Sequence, residues 1–72
     1  MDTGFRINNN RIYGPNEDTG YFIHEKRIYN PSGSSTGYYI KDNYIYGPHG
    51  NTGFHIKSNY ILGESRNLPW MK

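Results

Sequence analysis

Isoleucine recurs along this chain in two columns, Ile7, Ile23, Ile40, Ile56 and Ile12, Ile28, Ile45, Ile61, with successive members 16, 17 and 16 residues apart. Two positions before each member of the first column stands an aromatic: Phe5-Arg6-Ile7, Tyr21-Phe22-Ile23, Tyr38-Tyr39-Ile40 and Phe54-His55-Ile56. Alternation of period two is the pattern of a β-strand, with aromatic and isoleucine on one face and the residue between them on the other. Four residues separate the isoleucines of each copy, and their central pairs are Asn9-Asn10, Glu25-Lys26, Asp42-Asn43 and Ser58-Asn59. A two-residue hairpin turn at those pairs requires positive φ, which asparagine tolerates better than most residues. Three pairs end in asparagine, and Glu25-Lys26 is the exception. Such a turn sets Ile7 opposite Ile12, Ile23 opposite Ile28, Ile40 opposite Ile45 and Ile56 opposite Ile61. Each copy therefore reads as a hairpin that points one aromatic and two isoleucines inward.

Gly14-Pro15, Asn30-Pro31 and Gly47-Pro48 end the second strand of the first three copies, because proline donates no ladder hydrogen bond. The Thr-Gly that follows each link is expected to turn the chain into the next hairpin. The single extra residue in the 17-residue interval falls in Pro31-Ser32-Gly33-Ser34-Ser35, where a loop absorbs it. These marks divide one domain into repeats at residues 2–17, 18–34, 35–50 and 51–64, followed by a cap at residues 65–72. The last copy departs from the rest, with Leu62 for tyrosine and Glu64 for proline. Terminal repeats differ because they close an array, so Leu68 and Trp70 are expected to form a lid over the open end of the core.

The fold class is all-β: four tandem β-hairpin repeats in an antiparallel meander or a short hairpin solenoid. An eight-stranded barrel, or an open sheet buried in a dimer, would use the same pattern. A lone hairpin is barely stable in water, so the copies must pool their inward residues. Open arrangements leave unpaired edge strands, which predicts a homo-oligomer or a protein partner.

The absence of cysteine in 72 residues excludes disulfides and thiolate metal sites. No signal-peptide pattern opens the chain and no apolar run approaches membrane-spanning length, so the expected location is the cytoplasm and no membrane partner is expected. The net charge of +2 is small and the cations are spread out in sequence, with Glu17, Asp18, Glu25 and Asp42 among them; a nucleic-acid partner is unlikely on that ground. His24, His49 and His55 are scattered, and the carboxylates share no column, so neither a metal site, a cofactor site nor catalytic residues are expected and the protein is not read as an enzyme.

Tyrosine is the anomaly, at eight residues. On the face opposite the isoleucines, Arg11, Tyr13, Phe22, Arg27, Tyr29, Tyr39, Tyr44, Tyr46 and Tyr60 form a band of rings and cations. Such a band either packs as the second layer of a sandwich or dimer core, or binds. The binding candidates are Arg11, Tyr13, Arg27, Tyr29, Tyr39, Tyr44, Tyr46 and Tyr60, together with Trp70 as a possible partner anchor. The expected function is a non-catalytic, self-associating or protein-binding module, with carbohydrate or cell-surface binding through the tyrosine band as the alternative.

The two isoleucine columns, Tyr13-Gly14-Pro15, Tyr46-Gly47-Pro48 and Leu68-Pro69-Trp70 make nearly the whole chain resemble small bacterial proteins built from tandem aromatic-x-Ile-x-x-x-x-Ile-Tyr-Gly-Pro units closed by a Leu-Pro-Trp tail. That resemblance implies architecture and no activity. More loosely, Gly37-Tyr38-Tyr39-Ile40 and the polar turn after it are similar to the hairpin repeats of choline-binding and related cell-wall-binding modules. Those modules place tryptophan where this chain has Phe or Tyr, which removes support for a choline cage.

Overall fold

The structure, a computed structural model, describes residues 1–64 and 68–71. Eight antiparallel strands follow one another in chain order: β1 Asp2–Asn8, β2 Arg11–Tyr13, β3 Asp18–His24, β4 Arg27–Tyr29, β5 Ser35–Lys41, β6 Tyr44–Gly47, β7 Gly50–Lys57 and β8 Tyr60–Leu62. Each hairpin pairs a long first strand with a short second one, in the register that sets Ile7 opposite Ile12, Ile23 opposite Ile28, Ile40 opposite Ile45 and Ile56 opposite Ile61. All eight turn residues have φ between 51° and 69°, the type I′ geometry that matches strand twist. Glu25 and Lys26 adopt it like the others, at φ 51° and 68°, without the side chains that favour it.

Of the expected arrangements the structure shows the antiparallel meander, its eight strands closed into a barrel, in place of a solenoid or an open sheet. β8 pairs back onto β1, with Asp2 opposite Leu62 and Arg6 opposite Tyr60. Closure follows from a bulge in each long strand, and this also corrects the expected role of Thr-Gly, which lies inside the strand. Between Asp18 and Phe22 the long strand spends four residues while β2 spends two, Tyr13 to Arg11, and the other three hairpin junctions show the same mismatch. Excess residues on one strand bend it and raise its twist, the device that curls a sheet into a barrel.

The bulge is held by side chains. Thr19 Oγ1 donates to the Ile12 carbonyl at 2.6 Å and accepts from the Tyr21 N–H, while the Asp18 carboxylate accepts the Gly20 N–H at 2.8 Å. The set recurs at Thr3, Thr36 and Thr52, with Asp2, Ser35 and Asn51 in the place of Asp18. Gly20 sits at φ +86°, and a Cβ there would come within 2.9 Å of Pro31, so both the conformation and the space require glycine.

Repetition of these bonds makes the barrel pseudo-fourfold. The N–H groups of Ile23, Ile40 and Ile56 donate to the carbonyls of Asn10, Lys26 and Asn43, the second residue of the preceding turn. Ile7 closes the cycle by donating to Asn59 at 2.7 Å. An eight-stranded barrel has an interior just wide enough for side chains to fill. Here it holds three layers of four: the aromatics, the second isoleucine column and the first. Ile12, Ile28, Ile45 and Ile61 in the middle are 0% exposed, while Ile7, Ile23, Ile40 and Ile56 are half-buried at the turn end. Leu68, Trp70 and Met71 cover the aromatic end, with Trp70 against Tyr21 and Tyr38 at ring distances of 5.8 and 6.2 Å. Of the cap at residues 65–72, residues 65–67 and 72 lie outside the described residues.

Candidate functional site

Strand alternation in a closed barrel sends every second side chain outward, and the described residues form no second sheet to cover them. The alternative of a sandwich layer over the tyrosine band is therefore overturned within the chain: the band is the outside of the barrel. Its rows follow the strand register. Phe22 stands between Arg11 and Tyr29, Tyr39 between Arg27 and Tyr46, His55 between Tyr44 and Leu62, and Arg6 between Tyr13 and Tyr60. Arg11, Tyr13, Arg27, Tyr29, Tyr39, Tyr44, Tyr46 and Tyr60 thus share one girdle. Trp70 does not; at 5% exposed it belongs to the lid.

Cross-strand neighbours on one face of an antiparallel pair are close enough for rings to meet. Phe22 and Tyr29 stack at 5.4 Å with planes 9° apart, and Tyr39 and Tyr46 stack at 5.4 Å and 11°. The Arg6 guanidinium lies 5.5 Å from the Tyr13 ring centroid, a cation–π contact, and Tyr44 tilts against His55 at 5.9 Å. Tyr39, Tyr44 and Tyr60 keep 39%, 43% and 45% of their surface in water; these are the large exposed rings of the described chain. Arg6 and His55 are girdle members that the band drawn from sequence omits. Their signal was the column itself, since they occupy the slot that Phe22 and Tyr39 fill in the other copies.

Electrostatically the girdle is lightly committed. Arg11 Nε reaches the Asp18 carboxylate at 3.0 Å, and the Gly20 amide foremost, with Arg11 adding to it, holds that carboxyl below its usual range against the opposing effect of desolvation. Arg27 takes part in no ion pair among the described residues. His24 lies beside the exposed Glu25 at 3.9 Å and edges onto Tyr29, and His49 is exposed in the β6–β7 link. One concavity, of about 270 Å³, adjoins the girdle between the Glu25–Arg27 turn and Tyr39 and Ile40. Two others lie toward the end that the tail covers: one of about 570 Å³ between Phe5, Pro15, Glu17, Tyr21 and Trp70, and one of about 340 Å³ between Thr52, Gly53, Phe54 and Glu64.

No family model, curated protein sequence or solved structure matches this chain.

Proposed function

We propose that this protein is a non-catalytic binding module that docks another protein on its tyrosine and arginine girdle. One observation carries the reading: barrel closure leaves the Phe22–Tyr29 and Tyr39–Tyr46 pairs, with Arg11 and Arg27 in the same rows, outside the core and part-exposed. Tyr and Arg dominate the energetics of protein interfaces because they bring large area and directed hydrogen bonds. Strand addition is not the mode, since a closed barrel offers no edge.

Stacking inside the pairs also favours protein over carbohydrate. A sugar ring packs on an open aromatic face, and in each offset-stacked pair one ring face is turned toward its mate. The test is a protein array and a glycan array probed in parallel with the wild-type chain and with Tyr39→Ser/Tyr46→Ser, both changes lying outside the core. Protein capture that the variant loses while keeping its circular dichroism spectrum supports the proposal. Retention on glycans alone replaces it with the carbohydrate reading.

A further inference from the structure

Two arginines of the girdle hold the same place in successive hairpins and differ in what meets them. Arg11 stands opposite Phe22, and Arg27 stands opposite Tyr39. Arg11 is paired within the chain: its Nε lies 3.0 Å from the carboxylate of Asp18, the residue that opens the next long strand opposite Tyr13. The residue in that place beyond Arg27 is Ser35, opposite Tyr29. Serine keeps the bulge, accepting the Gly37 N–H at 3.2 Å as Asp18 accepts that of Gly20 at 2.8 Å, but it brings no charge. All six Asp and Glu residues of the chain are described, and none makes an ion pair with Arg27.

Arg27 also borders a groove. The 270 Å³ concavity is lined by Glu25, Lys26, Arg27, Tyr39 and Ile40, two cations against one carboxylate, and Glu25 lies beside His24 at 3.9 Å. Lys41 and Asp42, which follow Ile40, carry one charge of each sign, and the charged side chains of the tail, Arg66 and Lys72 outside the described residues, are cations. Tyr39 keeps 39% of its surface in water, and Ile40 is half-buried. An exposed arginine is satisfied by water. A partner seated on the girdle removes that water, and a guanidinium taken out of water must be paired or its desolvation counts against the complex. Arg11 brings its own carboxylate to such an interface; Arg27 does not.

We propose that the protein docked on the girdle presents an acidic segment. An Asp or Glu carboxylate of that segment sits on Arg27, in the place that Asp18 takes at Arg11, and an apolar side chain beside it enters the groove against Tyr39 and Ile40. This rests on the proposed role of the girdle and names the chemistry of its partner. Arginine holds a carboxylate through charge-assisted hydrogen bonds from a planar fork, so the contact fixes orientation as well as sign. The first junction also shows how the contact is blocked: an aspartate at position 35 would occupy Arg27 from within the chain.

A displayed library of random heptapeptides, selected on the wild-type chain, tests it, with the selected peptides then titrated by fluorescence polarisation. They should be enriched in Asp and Glu beside an apolar residue. Ser35→Asp and Arg27→Gln should each weaken their binding at least roughly fivefold. Ser35→Asn, which copies the neutral Asn51 of the fourth repeat and its bond to the glycine N–H, should bind as the wild type does. Every variant should keep the wild-type circular dichroism spectrum. Peptides with no excess of Asp or Glu, no selected peptide at all, or affinities that Ser35→Asp leaves unchanged overturn the proposal. Equal loss in Ser35→Asn also overturns it, because that change adds no charge. Non-acidic peptides that Tyr39→Ser/Tyr46→Ser no longer binds overturn it and leave the girdle standing. Acidic peptides that lose affinity in Ser35→Asp but keep it in the tyrosine variant support the carboxylate contact and remove the tyrosines from the docking surface.

Discussion

Replacing Glu25-Lys26 by Asn-Gly should stabilise the protein, and the size of the gain can be worked from the turn geometry. Both residues sit in the left-handed region, at φ 51° and 68°, where the Cβ of an L residue crowds the following carbonyl at a cost of about 1–2 kcal/mol. Asparagine recovers part of that cost. Glycine recovers all of it, less about 0.5–1 kcal/mol for the freedom it gains in the unfolded chain. Little is lost in exchange. The His24–Glu25 contact spans 3.9 Å between side chains 69% and 83% exposed, where ion pairs contribute next to nothing. The Lys26 carbonyl that accepts the Ile40 N–H at 2.8 Å is backbone and survives the change. The net gain is about 1–2 kcal/mol, a rise in Tm of roughly 5–10 °C for a domain of this size. Urea unfolding followed by circular dichroism measures it, with the reciprocal Asn9→Glu/Asn10→Lys variant expected to lose a smaller amount, since it gives up only asparagine's share of the relief. An unchanged or lowered midpoint for Glu25→Asn/Lys26→Gly, at constant m-value, would refute the claim that these two residues are held in the left-handed region at a cost.

Core position should set the cost of truncation. Ile28→Ala, in the fully buried middle layer, should cost about 2–5 kcal/mol, and Ile28→Val about 0.5–1.5 kcal/mol, with the matching change at half-buried Ile23 costing less in the same denaturant assay. Trp70→Ala should cost about 3–5 kcal/mol, whereas Trp70→Phe should be much milder, because the buried indole N–H has no hydrogen-bond partner among the described residues to lose. Thr36→Val removes the bond to the Ile28 carbonyl and the one accepted from the Tyr38 N–H, and should cost about 1–3 kcal/mol by leaving both backbone groups unmatched. Asp18 has a depressed carboxyl in the folded state, so its stabilisation is complete above the unfolded value of about 3.9 and fades as pH falls through the folded one. Asp18→Asn should therefore flatten the acid limb of a stability-against-pH curve below about pH 4, and an unchanged limb counts against that linkage.

The hairpins were legible because their evidence is local: two isoleucine columns and a turn pair between them fix strand, register and inward face together. All twelve inward positions read that way lie in the core or pack against it. Closure was not legible, because it depends on a junction whose meaning is three-dimensional. Thr-Gly reads as turn chemistry in isolation, and only the bond from Thr3 Oγ1 to the Ile61 carbonyl, across 58 residues, shows it bending a strand so that the last hairpin meets the first. A clue was present in Asp2, Asp18, Ser35 and Asn51, a column of short acceptors one residue before each threonine, suited to hold a glycine N–H two residues on. The girdle members followed from alternation, but their exposure depended on closure, which removed the second layer. From sequence Trp70 fits both a lid and an anchor, and the structure buries it in the lid against Tyr21 and Tyr38.

Amide hydrogen exchange at the four first-column isoleucines tests barrel closure most directly. In a closed barrel the N–H groups of Ile7, Ile23, Ile40 and Ile56 all donate to turn carbonyls of the neighbouring hairpin, Ile7 to Asn59, so all four should be protected to a similar degree. Protection at Ile23, Ile40 and Ile56 with Ile7 exchanging freely would mean that β1 and β8 are unpaired edges, and the barrel would open into a meander.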